Sequence, residues 1–409
     1  MRFQSTPMQL NRFLLGVASG VTVGYAARRC YEAALIVNAP ADPTGGDAHA
    51  YGRANRALAL SSTLRSMFGV VALAYGPLGE AADRVTDRIP ITLRPAAFAG
   101  ALGLLEALAD LPIAFVEDYA RERRYALTEQ TPRMWAIDYA KGAALGVGLT
   151  SIFAILMGAI MRRMPRSWPI VASLGTLPLL LLANLIVPLY VLPLFNRFEP
   201  LTGALEVRLR ALAARYGVGD AEILRMDMSR QTKKANAFVV GMGRTHRIVL
   251  GDTLIEHFTP EEIEFVVAHE LGHYVMRDTW RMTAVGQALA TTLFIGAHFA
   301  VDGRDSASLR DRPLLLARTY AAMAIGTQVL RPLMLAFSRS REWAADRFAL
   351  DATRDPRSGA AAFRRLRDQN LAEDRVPQWY ELLFSSHPSL GQRIASLEHN
   401  TSGKLRAGF

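Results

Sequence analysis

Three stretches without one charged side chain constrain this chain more than anything else in it: Gly142–Met161, Ser167–Phe195 and Met282–Val301. Each is long enough, as helix, to cross roughly 30 Å of hydrocarbon. Lipid offers backbone amides no partner, so runs of this kind are stable there only when every amide is paired within the segment. A membrane-spanning helix is therefore expected at each.

Four further segments are apolar enough to join them: Phe13–Ala27, Ala57–Gly79, Leu93–Val116 and Pro313–Phe337. The working topology is seven crossings, the first an uncleaved helix, since no small-x-small cleavage pattern follows before Arg28. Charges interrupt some of these spans: Arg65 in the second, Glu106 and Asp110 in the third, Arg318 and Arg331 in the seventh. Charges at such depth face a bundle interior or water, or snorkel towards an interface. In Ser167–Phe195, Pro188 and Pro193 predict tilt, a kink or an early exit.

Composition narrows the class further. The net charge of +10 comes almost wholly from arginine, with lysine only at Lys141, Lys233, Lys234 and Lys404. The arginines flank apolar segments instead of gathering on one polar domain, which argues against a nucleic-acid partner and for a bilayer with short basic loops. The single cysteine, Cys30, excludes an internal disulfide and thiolate metal clusters.

Polar blocks follow the fifth and seventh spans. In the first, LTGALEVRLRALAARYG reads as an amphipathic helix ended by Gly217, and AEILRMDMS and ANAFVVGMGRTHRIVLGD read as strands around a Gly-rich turn. TPEEIEFVVAHELGHYVMRD is a helix: Thr259 can cap it, Pro260 suits its first position, and Glu261 and Glu262 suit its positive end. In the second block SREWAADRFALDA, SGAAAFRRLRDQNLAE and HPSLGQRIASLEH are predicted helices. The expected layout is helices 1–3 over 1–116, a loop and helices 4–5 over 117–195, catalytic segments over 196–280 and 338–409, and helices 6–7 over 281–337. The fold class is thus mainly α, polytopic, with a small β-sheet.

Within this frame one motif carries chemistry. His269 and His273 lie one helical turn apart, so both imidazoles project from one face and can take adjacent corners of a zinc tetrahedron. Glu270 sits beside them, where a carboxylate can accept a proton from water, the HExxH arrangement of zinc proteases. Gly272, a poor helix former, suggests a close approach. A catalytic zinc needs a third protein ligand, and no third histidine follows at nearby spacing. Glu342 is chosen, with Asp346 one turn later to orient the site. Alone, Glu342 reads equally well as a solvated helix glutamate beside Arg341. Topology favours the ligand, because two crossings separate Glu270 from Glu342 and return both to one side of the membrane. An oxyanion donor is open among His387, Arg393 and His246, and the strand edge Asn236–Val240, beginning Asn236, Ala237, Phe238, could hold extended substrate.

Five ordered motifs, PLYVLPLFNRF, NAFVVGMGRTHRIVLGDTL, HELGH, SREWAADRFA and HPSLGQRI, resemble the CaaX prenyl protease 1 family of integral membrane zinc metallopeptidases, from about Glu117 to His399. The resemblance implies seven helices around a water-filled chamber closed at one end by a gluzincin-like domain. It also implies one zinc held by His269, His273 and Glu342, with Glu270 as base. Asn236 and His387 would then sit by the substrate, with Asp346 and Arg393 supporting the site. Ser389 departs from the pattern, standing where many relatives have a second proline.

Nothing in the sequence recognises an isoprenoid, and the arginine bias suggests a GC-rich bacterium. The expected activity is therefore hydrolysis of membrane peptides or proteins at an inner membrane, the site facing the cytoplasm, with no obligate protein partner. A catalytically inactive scaffold or transporter that retains these motifs is the alternative.

Overall fold

The computed structural model describes residues 48–241, 246–301 and 312–401. Six helices among them are long and apolar enough to cross a membrane. The expected first span, Phe13–Ala27, lies outside the described residues. The spans begin with α1 (Ala48–Tyr75), which a break at Gly76 separates from the short α2 (Pro77–Val85). Next, α3 (Arg94–Ala114) runs through a π-helical stretch, Phe115–Ala120, into α4 (Arg121–Arg124). Then come α5 (Pro132–Arg163) and α6 (Trp168–Ile186). Leucines such as Leu149 and Leu174 stand 64 % and 68 % exposed on these helices, as lipid-facing side chains do.

Proline shapes the helix ends as anticipated. After α6 the chain winds through a π turn, Val187–Val191, and a 3-10 turn, Leu192–Leu194. Pro188 and Pro193 lack the amide protons that a regular continuation needs.

The polar block folds as α7 (Ala204–Arg215), ended at Gly217 with φ +79°, and a four-stranded sheet. Its strands are β1 (Phe198–Pro200), β2 (Glu222–Met226), β3 (Ala237–Val240) and β4 (Arg247–Gly251), in the order β1-β2-β4-β3. The β2–β4 pair is parallel and the other two are antiparallel, which leaves β3 on an edge. After α8 (Asp252–His257) comes α9 (Pro260–Val275), opened by a full capping box between Thr259 and Glu262. α9 packs its buried face, including Phe265 and Leu271, against the sheet and against Ala349 and Phe363.

The chain re-enters apolar territory in α10 (Asp278–Val301) and α11 (Leu314–Thr353). Here the structure differs from expectation: the seventh span and the helix SREWAADRFALDA are one continuous helix of 40 residues. Nothing in SRSRE breaks a helix, so the hydrogen-bond ladder runs unbroken from apolar to polar surroundings, with Pro332 accommodated inside it. The fold closes with α12 (Pro356–Gln369), α13 (Gln378–Phe384) and α14 (Leu390–Thr401). β1, α2 and α13 were not anticipated; each is short, with too few residues to display a period.

Polar ties fix which ends of the spans meet the polar domain. Lys234 Nζ donates to Tyr51 at the start of α1 over 2.8 Å and pairs with Glu122 in α4 at 2.7 Å. Arg230 Nη2 reaches Asp138 near the start of α5 at 3.1 Å. At the opposite end Asp83 in α2, 1 % exposed, pairs with Arg94 and Arg312.

Candidate metal centre

Two helices build the site. α9 presents His269 and His273, their rings 4.9 Å apart and nearly perpendicular. α11 presents Glu342 between them: Oε2 lies 3.3 Å from Nε2 of His269 and Oε1 lies 3.4 Å from Nε2 of His273. One ligand atom from each residue falls within 4.8 Å of the others, a grouping able to hold a metal ion. Gly272 lets the helices approach this closely, because a Cβ there would stand 3.0 Å from the Phe348 ring.

The donor chemistry suits a cation. Nδ1 of His269 is 2.9 Å from Oδ1 of Asp346, and Nδ1 of His273 is 3.0 Å from Oδ2 of Asp278. A carboxylate only accepts, so each Nδ1 carries a proton, and a ring that sheds its other proton turns an Nε2 lone pair inward. Oε2 of Glu342 is buried, with Nε2 of His269 at 3.3 Å and Nη1 of Arg393 at 3.7 Å. Two Nε2 atoms and the Glu342 carboxylate thus converge, an arrangement satisfied by an ion or, without one, by protons on the imidazoles.

Electrostatics agree. Burial and the Arg393 guanidinium disfavour the imidazolium of His269, but hydrogen bonds to Asp346 and Glu342 outweigh both and raise its pKa to about 9. Burial likewise opposes charge on His273, and its bond to Glu342 raises the pKa above the usual histidine value. Burial pushes the Glu270 carboxyl up, against the pull of His269 and His273.

The remaining candidates divide. Arg393, 6 % exposed, grips Asp346 with Nε to Oδ2 at 2.8 Å and Nη2 to Oδ1, and its guanidinium lies 4.1 Å from the Phe363 ring centre. His387 is exposed, yet its Nε2 comes within 3.3 Å of Oε1 of Glu342, and Ser386 bonds its Nδ1 at 2.8 Å. Burial lowers the His387 pKa, so its ring favours the neutral form. Asn236 is exposed and its carbonyl accepts from the Gly251 amide at 3.0 Å. Ala237 turns into the core and Phe238 packs on the opposite face of the sheet, so the backbone of β3 is what this strand offers beside α9.

His246 is not brought to the cluster. It is buried against Tyr274, ring centres 4.5 Å apart, and desolvation lowers its pKa. Two residues were missed in the sequence: Asp278, which holds His273, and Arg341, whose Nε donates to Asp278 Oδ1 at 2.7 Å. Asp278 lies only five residues past His273, but a left-handed Arg277 (φ +57°) has to turn the chain before its side chain can reach back. Within the spans, Asp110 pairs with Arg65 across α1 and α3 at 3.3 Å.

Comparison with known proteins agrees with this geometry. The profile described as Peptidase family M48 matches residues 201–401, and that described as CAAX prenyl protease N-terminal, five membrane helices, matches residues 44–197. An uncharacterized metalloprotease of Bacillus subtilis is 28 % identical over 75 % of this chain and 74 % of its own. The CAAX prenyl protease 1 homolog of Arabidopsis thaliana is 30 % identical over 71 % of this chain and 70 % of its own. The crystal structure of S. mikatae Ste24p superposes with a TM-score of 0.77 at 21 % identity, covering 94 % of this chain and 99 % of that one.

Proposed function

As a member of the CAAX prenyl protease 1 branch of peptidase family M48, the chain is a polytopic membrane metalloprotease, and we propose that it is a zinc endopeptidase acting on membrane-associated peptides or proteins. The observation that carries this reading is the convergence of His269, His273 and Glu342 from two helices. Two imidazoles and one carboxylate suit a zinc ion, one per chain, which His269, His273 and Glu342 would hold. When bound, zinc polarises the scissile carbonyl and acidifies the attacking water.

The chain's own groups do the rest. Glu270, next to His269 on the same helix, would serve as the base that accepts a proton from water and as the acid that returns it to the leaving amine. Asp346, itself fixed by Arg393, holds His269 in the tautomer that offers Nε2. His387, exposed beside Glu342, is placed to donate to the developing oxyanion. The edge of β3 that pairs with no strand among the described residues, from Asn236 through Ala237 and Phe238, aligns an extended peptide by backbone hydrogen bonds. Arg65, Asp110 and Glu117, joined at membrane depth, support a polar chamber beneath the site.

The test replaces Glu270 by glutamine in the full-length membrane protein. Zinc should stay bound while peptide hydrolysis falls by about 10²–10⁴-fold, and membrane peptides that the wild type clears should accumulate. A wild type without stoichiometric zinc, together with no accumulation, would leave the inactive-scaffold reading standing.

The site is assigned to the cytoplasmic side of a bacterial inner membrane. Arg121, Arg123, Arg124 and Arg133 cluster at the site end of the spans, as the positive-inside rule favours. Arg162 and Arg163 at the far end of α5 pull the other way. A reporter fused after Arg163 should therefore respond as periplasmic; a cytoplasmic response would reverse the orientation.

A further inference from the structure

Asp278 is 4 % exposed although it begins a membrane helix. An acidic residue at such a position interacts well with the helix dipole while fully solvated, so the dipole does not explain its burial. Both of its oxygens are committed. Oδ2 lies 3.0 Å from Nδ1 of His273, and Oδ1 accepts from Nε of Arg341 at 2.7 Å. Arg281 stands farther off at 3.8 Å. Arg341 is itself locked, its Nη2 lying 3.0 Å from the Met276 sulfur.

We propose that Asp278, held by Arg341, is the positioning residue of His273. The inference rests on the metalloprotease reading and extends it. A neutral imidazole has two tautomers of similar energy, and only the one protonated at Nδ1 presents a lone pair at Nε2, where Glu342 waits. The Asp278 carboxylate selects that tautomer and fixes the ring plane. Arg341 immediately precedes Glu342 on α11, so one bond orients His273 and sets the register between the two ligand-bearing segments. His269 has its own pair, Asp346 with Arg393, and each imidazole is thus braced by a separate carboxylate and guanidinium.

The experiment measures zinc affinity of the full-length protein by chelator competition, with cobalt(II) as a spectroscopic probe of ligand geometry. Asp278→Asn should bind zinc about 10–100-fold more weakly and shift the cobalt absorption bands. Arg341→Gln should lose less, in the same direction, and the double variant should be no weaker than Asp278→Asn alone. Wild-type zinc affinity and cobalt bands in Asp278→Asn would overturn the proposal, provided that His273→Ala has lost the metal. Should His273→Ala bind zinc like the wild type, the ligand assignment falls and this proposal falls with it. If Asp278→Asn does not fold, Arg341→Gln decides: weakened binding supports the proposal, unchanged binding overturns it.

Discussion

Arg393 meets Asp346 through two hydrogen bonds in the interior, each residue 6 % exposed, and so joins α14 to the helix that carries Glu342. Removing one member strands the other's charge. Arg393→Met or Asp346→Asn should each cost about 3–5 kcal/mol of stability. The double variant should lose less than the sum, because no buried charge remains unpaired. Zinc affinity should fall most in the two variants that lack Asp346, since His269 then loses the carboxylate at its Nδ1, and less in Arg393→Met. Thermal unfolding in detergent, run beside metal analysis, checks both parts. Single variants with wild-type stability and wild-type zinc would show the pair to be incidental.

Much of this was legible in the sequence, for physical reasons that also mark the gaps. The HELGH face follows from helical periodicity alone, and the parity of the crossings between Glu270 and Glu342 favours the latter over a solvated helix glutamate. Both arguments need only regular elements. The cap at Thr259 and the stop at Gly217 are local chemistry and were equally readable. Asp278 was not, because its contact depends on one left-handed residue, Arg277. His246 reads in the sequence as one of three oxyanion-donor candidates; Tyr274 decides its place, and that contact is tertiary. The unbroken α11 was split in reading because polarity changes at SRSRE, although helix propensity does not.

Protons and metal compete for the same lone pairs. In the metal-free chain the His269 pKa is raised to about 9, so the ring is protonated below that pH and must shed its proton to ligate. Apparent zinc affinity should rise by about tenfold per pH unit for each proton displaced, then level off as pH passes about 9. Acid should therefore strip the metal, and loading at neutral pH should release protons. Chelator competition over this range, with proton release followed calorimetrically, tests the slope. Affinity that does not change with pH would remove His269 from the ligand set.

Gly272 offers a sharper test of the contact between α9 and α11. Alanine there would gain about 1 kcal/mol in helix propensity. Its Cβ, however, would stand 3.0 Å from Cδ1 and 3.2 Å from Cβ of Phe348, and the latter atom belongs to the α11 scaffold itself. The Phe348 ring has little room to yield, being packed on Tyr216 with centres 4.8 Å apart. Overpacking of this kind costs about 1–3 kcal/mol, so Gly272→Ala should be net destabilising. Because Phe348 follows Asp346 by two residues, the strain should widen the gap between His273 and Glu342, and zinc affinity should fall along with stability. In a Phe348→Ala background, which removes the ring, the same substitution should weaken zinc binding far less. Equal losses of zinc affinity in both backgrounds would mean that the glycine serves some end other than bringing these two helices together.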